Sequence, residues 1–175
     1  MDAKTRAARI KLVAFDIDGV MTDGGLHYSD DGHEFKTFNV QDGLGIVLLK
    51  RVGIEVAIIT GRNSGVVSHR AADLGVSHVF QGVGNKRDVA AKLLEKLGLD
   101  WSELAFMGDD LIDLPAMAHA GLTIAPANAR PIVKDRVHTI TEAAGGQGAV
   151  REAIEFILSA QGKLDEAFSP YLEAR

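Results

Sequence analysis

The sequence predicts a doubly wound, mostly parallel α/β sheet with one β-hairpin insertion after its first strand. Three observations lead there. Short apolar runs recur at 10–16, 54–59, 104–107 and 121–125, each too short for a helix and suited to a strand buried on both faces. Helical patterns stopped by glycine separate them, as at 44–52 before Gly53 and 86–97 before Gly98. Strands alternating with helices at this spacing form parallel βαβ units.

The elements follow in order. Residues 1–9 read as a short leading helix or a loose arm, and the first strand runs from about residue 10 to Asp16. The insertion occupies about 24–40, where short alternating runs flank Ser29-Asp30-Asp31-Gly32; Asp-Gly between such runs signals a hairpin. Asp42-Gly43 opens the helix over 44–52, and the strand 54–59 ends in Thr60-Gly61-Arg62. Asn63 or Ser64 caps a helix reaching Leu74, with Gly75 as its stop. A short strand over 76–80 precedes Asn85, the cap of the helix over 86–97. The strand 104–107 ends in Gly108-Asp109-Asp110, and a helix covers 111–118. Strands at 121–125 and 137–140 bracket one or two helical turns at 129–134, and a final helix spans 148–161. Pro170 argues against a helix running to the end, so 164–175 reads as a flexible tail. No repeat or low-complexity linker divides the chain, and 1–175 reads as a single domain.

Composition narrows the function classes. With 175 residues the chain is long enough to bury a core, and 46% hydrophobic with 25% charged residues is ordinary for a globular protein. A net charge of −5 without any Lys/Arg run argues against a nucleic-acid partner. The absence of cysteine excludes disulfides, thiolate chemistry and Cys-bound metal. The N-terminal stretch lacks the apolar segment of a signal peptide, and no run approaches transmembrane length, so the expectation is a cytoplasmic protein with no membrane partner. The six histidines show no i, i+4 pairing, which argues against a histidine metal site.

The chemistry gathers where predicted strands end. Asp16 and Asp18 follow the first strand, Thr60 the second, Lys86 opens a helix, and Asp109, Asp110 and Asp113 follow a later strand. In a doubly wound sheet these ends share one rim, so residues distant in sequence converge. Alone, each has an ordinary reading: a solvated strand end, a strand-terminal Thr, a surface lysine, an acidic first helical turn favoured by the helix dipole. Together they form the equipment of phosphoryl transfer through an aspartyl-phosphate. Asp16 is the candidate nucleophile. Asp18, two residues on and crowded by its neighbour, is the candidate general acid and then base. Asp16 and Asp109 suit a hard divalent cation, Mg²⁺, while Thr60 and Lys86 suit the phosphoryl oxygens. Asp113 reads as a partner that orients Lys86 rather than as a metal ligand. Arg62 is either an ordinary helix-start residue or a group for a substrate carboxylate or phosphate.

These runs, Asp16-Ile17-Asp18-Gly19-Val20-Met21-Thr22-Asp23, Thr60-Gly61-Arg62, Lys86 and Gly108-Asp109-Asp110-Leu111-Ile112-Asp113, resemble the four motifs of the haloacid dehalogenase-like phosphatases. The resemblance implies the roles above, adds the Asp18 backbone carbonyl as a further Mg²⁺ ligand, and makes Asp110 and Asp113 supporting residues. About forty residues between the first two motifs leave room for a hairpin and none for a cap domain.

A finer resemblance covers about 10–167. It rests on Phe38-Asn39-Val40-Gln41-Asp42-Gly43, the run 56–62, Asn85-Lys86, Gly145-Gly146-Gln147-Gly148 with the residues to 152, and 160–167. These resemble the capless 3-deoxy-D-manno-octulosonate 8-phosphate phosphatases, with Gln41 standing where some relatives carry Arg. It implies a small-molecule sugar-acid phosphate as substrate, a place in lipopolysaccharide biosynthesis, and Gly61, Arg62, Asp42 and Gly43 as substrate-binding positions. It also implies a homotetramer in which the hairpins build a central barrel and neighbours cover each site. Two rivals stand beside it. A phosphatase of a nine-carbon nonulosonate 9-phosphate would share fold and chemistry. A receiver-like, phosphorylation-switched binding module would lack the acid two residues after the phosphorylated aspartate.

Overall fold

The computed structural model describes residues 1–172. Six parallel strands form the main sheet: β1 (Leu12–Phe15), β4 (Glu55–Ile59), β5 (His78–Phe80), β6 (Leu104–Met107), β7 (Leu122–Ala125) and β8 (Thr139–Ile140). Their spatial order is β5-β4-β1-β6-β7-β8. The chain therefore winds outward from β1 one way, returns, and winds outward the other way from β6. Direction reverses between β1 and β6, whose residues pair from Leu12 with Leu104 to Phe15 with Met107. A crevice opens at the carboxyl ends of strands at such a point.

Alternation on the strands divides the core in two. Val13, Phe15, Val56, Ile58, Ala105 and Met107 share one face with buried side chains of α2 (Val40–Arg51), α3 (Gly65–Asp73), α7 (Ala149–Ala160) and α8 (Leu164–Leu172). Leu12, Ala14, Ala57, Ile59, Leu104 and Phe106 face α4 (Lys86–Leu97), α5 (Leu114–Met117) and α6 (Pro131–Lys134). Covering both faces is why the strands carry near-continuous apolar runs. The predicted insertion is a separate two-stranded antiparallel ribbon, β2 (His27–Tyr28) with β3 (Glu34–Phe35), and α1 (Ala3–Ala7) is the leading helix.

Three elements differ from expectation. α2 begins at Val40, four residues before the predicted start, because Asn39 Oδ1 accepts from the backbone N–H of Gln41 and Asp42 and so caps the helix. The helix expected over 111–118 is regular only at Leu114–Met117, since 110–113 form the turn that wraps the Asp113 side chain. The segment expected to be a flexible tail is helical through Leu172, with Pro170 inside it. That helix is held by tertiary contacts: Ala167 is buried, Arg51 donates to the Ala167 carbonyl, and the guanidinium of Arg151 sits 5.5 Å from the Phe168 ring centroid. Residues 173–175 of the predicted tail lie outside the described residues.

Candidate active site

At the switch point a cavity of about 260 Å³ is lined by Asp16, Asp18, Gly24, Thr60, Gly61, Arg62, Asp109, Asp110 and Ile112. The groups expected at the strand ends line it, Lys86 and Asp113 lie directly against lining residues, and Asp42 and Gly43, in α2, are outside it. A larger cleft of about 640 Å³ opens at the amino ends of the strands, but there Lys11 and Glu103 pair with each other at 2.6 Å. The chemistry belongs to the smaller one.

Asp16 continues β1, its N–H bonded to the Met107 carbonyl at 3.1 Å, which places its carboxylate at the mouth of the crevice. It is 4% exposed. Lys86 is 2% exposed, which rules out the ordinary solvated lysine. Burying an ammonium costs several kcal/mol, so it persists only where anions surround it. Its Nζ donates to Asp113 Oδ1 at 2.6 Å and lies 2.8 Å from Asp16 Oδ1. The second contact is a charge contact outside hydrogen-bond geometry, leaving Asp16 Oδ1 a buried acceptor without a donor.

Asp113 is fully occupied. Besides Lys86, its Oδ2 accepts from the N–H of Asp109 and Asp110 at 3.0 and 3.2 Å. It bonds Lys86 and shapes the turn, and Asp16, Asp109 and Asp113 all offer oxygens within 4.8 Å of one another. Gly108 makes this turn possible, since a Cβ there would strike the Asp113 carboxylate.

Asp109 lies against the Gly19 backbone, where φ is +88° and a Cβ would collide with the Asp109 carboxylate. The glycine of Asp18-Gly19 thus lets two motifs meet across the crevice. Three carboxylates gather around the ammonium of Lys86, and the crowding is visible in the protonation of Asp16 and Asp109. Burial, then Asp113, push Asp16 from 3.8 up to about 6 against the pull of Lys86. Burial, then Asp113 and Asp16, push Asp109 up to about 7. With all three ionised, two negative charges remain uncompensated beside an acceptor that lacks a donor. A hard divalent cation held by oxygen ligands fits that arrangement.

The close neighbours of the Asp18 carboxylate are cations: Lys36 Nζ at 2.5 Å from Oδ1 and Arg62 Nε at 3.6 Å from Oδ2. Arg62 lines the cavity and donates to Glu34 Oε1 and the Tyr28 hydroxyl, so it is not a mere helix-start residue. Asp42 and Gly43, expected to bind substrate, lie outside the cavity. Asp42 Oδ1 accepts from the N–H of Arg151 at 2.8 Å at the start of α7, and burial raises its pKa. Gly43 lies against Arg70 and Leu74. Both positions pack helices together.

Sequence reasoning missed Tyr28, Glu34 and Lys36, because two-residue strands carry no chemical pattern. It also missed Asn128, which donates to the Gly19 carbonyl at 2.9 Å and accepts from Gly145 N–H at 2.6 Å. Gly145 and Gly146 thus buttress the loop after Asp18, with Gly146 N–H bonded to the Val20 carbonyl.

The haloacid dehalogenase-like hydrolase family matches residues 40–121. 3-Deoxy-D-manno-octulosonate 8-phosphate phosphatase KdsC of Escherichia coli K12 is 47% identical over 166 residues, 95% of this chain and 88% of that protein. A probable YrbI family phosphatase from Pseudomonas syringae superposes with a TM-score of 0.97 at 49% identity, covering 99% of both chains. The Moraxella catarrhalis 3-deoxy-D-manno-octulosonate 8-phosphate phosphatase, solved with magnesium, phosphate and KDO, superposes with a TM-score of 0.94 at 44% identity over 96% of this chain and 97% of that one. The chain belongs to the 3-deoxy-D-manno-octulosonate 8-phosphate phosphatase family of haloacid dehalogenase-like hydrolases.

Proposed function

We propose that this chain hydrolyses 3-deoxy-D-manno-octulosonate 8-phosphate to the free sugar acid and phosphate, through an aspartyl-phosphate on Asp16 and with Mg²⁺ as cofactor. The observation that carries the chemistry is the buried Asp16 carboxylate held against Lys86 at the mouth of a cavity that also contains Asp18, Thr60 and Asp109. The substrate follows from the named relatives, which match nearly the whole chain.

In this reading an Asp16 carboxylate oxygen attacks phosphorus in line, and the P–O bond to the sugar breaks as Asp18 gives its proton to the departing oxygen. Asp18, now a carboxylate, takes a proton from water as that water cleaves the acyl phosphate, which restores both groups. Thr60 and Lys86 hold phosphoryl oxygens and offset their charge in the transition state. Gly61 and Arg62 meet the substrate beyond the phosphate. Asp16, Asp109 and the Asp18 carbonyl would hold Mg²⁺, with Asp110 and Asp113 in support. Bound there, Mg²⁺ neutralises the carboxylate excess and polarises a phosphoryl oxygen. The cavity has no cap, and the reading includes a homotetramer whose neighbours cover it, in a cytoplasmic step toward lipopolysaccharide.

The test is phosphate release from a panel of sugar-acid phosphates, with Mg²⁺ and with EDTA. Mg²⁺-dependent preference for the eight-carbon 8-phosphate is expected. Better turnover of a nonulosonate 9-phosphate would move the substrate and keep the chemistry, and activity undiminished in EDTA would refute the cofactor.

A further inference from the structure

Asp18 is held from outside the sheet. Lys36 follows β3, yet its side chain is only 1% exposed, where a hairpin lysine would ordinarily extend its ammonium to water. Its Nζ donates to Asp18 Oδ1 at 2.5 Å and lies 3.3 Å from Glu34 Oε1. Arg62 closes the other side: Nη2 donates to the same Glu34 oxygen at 2.8 Å, while Nε stands 3.6 Å from Asp18 Oδ2. The four side chains form a ring in which Asp18 has a cation beside each oxygen and Glu34 joins the two cations.

The cations differ. Arg62 has a 40% exposed side chain, lines the cavity, and stands from Asp18 beyond hydrogen-bonding distance. The Lys36 side chain is buried, lies outside the cavity lining and, among the described residues, makes the one short bond to the Asp18 carboxylate. Substrate therefore competes for Arg62 while Lys36 stays in place.

We infer that Lys36 is a positioning residue for leaving-group protonation: by holding Oδ1 it fixes the Asp18 carboxyl so that Oδ2, the oxygen freed when substrate draws Arg62 away, carries the proton to the departing ester oxygen, and so ties the hairpin to the chemistry. The inference rests on Asp18 being the general acid, as proposed above. A carboxyl displaced by about 1 Å loses rate on the order of a hundredfold, but only where the departing oxygen needs a proton.

The test compares kcat/KM for an alkyl phosphate with that for p-nitrophenyl phosphate, whose phenolate leaves unprotonated. This ratio ends at release of the alcohol and so excludes the hydrolysis step common to both substrates. Lys36→Met should lower kcat/KM for the alkyl phosphate by about 100-fold and for p-nitrophenyl phosphate by less than about threefold, and Lys36→Arg should recover most of the loss. Equal losses on both substrates, or none, would overturn the inference. Asp18→Asn, measured in parallel, should show the same dependence on leaving group; if it does not, the acid assignment falls and the role of Lys36 with it. A wild-type enzyme that rejects the sugar-acid phosphate but accepts another alkyl phosphate would sink only the substrate reading, and the comparison would proceed on that alkyl phosphate.

Discussion

Lys86, Asp16, Asp109 and Asp113 show how the residues manage charge. One ammonium is shared between Asp113, which holds it by a hydrogen bond, and Asp16, which has only its charge. Asp109 gains little from that ammonium, and its carboxyl is pushed higher than that of Asp16, to about 7. A pH prediction follows. In metal-free protein the folded values for Asp16 and Asp109, about 6 and about 7, exceed the ordinary 3.8. The folded state then holds more protons than the unfolded one across this range, and the contribution of these groups to stability declines as pH rises from about 4 to about 7. Mg²⁺ binds ionised carboxylates and opposes that loss. The difference in Tm between Mg²⁺ and EDTA should therefore widen as pH rises through this window in thermal melts. A difference that stays constant or narrows would rule these two residues out as ligands.

At the scale of elements, helix ends explain most departures from expectation. The run Asn39-Val40-Gln41-Asp42-Gly43 contains two residues able to cap a helix. Asn39 caps α2 and Asp42, inside that helix, reaches across to the start of α7. Which helix a capping side chain serves depends on what packs beside it, and nothing local encodes that. Asp42→Ala should thus lower stability by about 1–2 kcal/mol in urea titrations and leave KM nearly unchanged. A large rise in KM with stability intact would return Asp42 to the substrate site. α8 teaches the same lesson: Pro170 suggested a break, and contacts with α2 and α7 hold the helix through it.

At the scale of the molecule, the winding order places β1 and β6 side by side with their carboxyl ends open. Asp16 and Asp109, more than ninety residues apart in the chain, meet there for that reason. The hairpin reaches the same rim and leaves Leu26 and Phe35 exposed at 48% and 58%. Exposed apolar side chains on so small a ribbon suit burial against copies of the chain, in keeping with the proposed tetramer. Phe35→Asp should shift the species seen by analytical ultracentrifugation toward smaller assemblies and lower kcat/KM as the neighbour's cover is lost. A wild-type chain that sediments as a monomer with full activity would refute the tetramer.

The sequence by itself determined the order of strands and helices, the caps at Asn85 and Gly98, and the placement of Asp16, Asp18, Thr60, Lys86 and Asp109 at the strand and helix ends that meet in the crevice. Those features are legible because they are local: periodicity, capping and motif spacing are written in consecutive residues. Tertiary structure alone decided that Asp113 is saturated by Lys86 and two backbone N–H groups, that Asp42 serves a helix, and that Lys36 and Glu34 join Asp18 and Arg62 in a ring. Each of these depends on distance and burial between segments far apart in the chain. A carboxylate's role is set by the donors that reach it, and those are assigned only when the sheet closes its crevice.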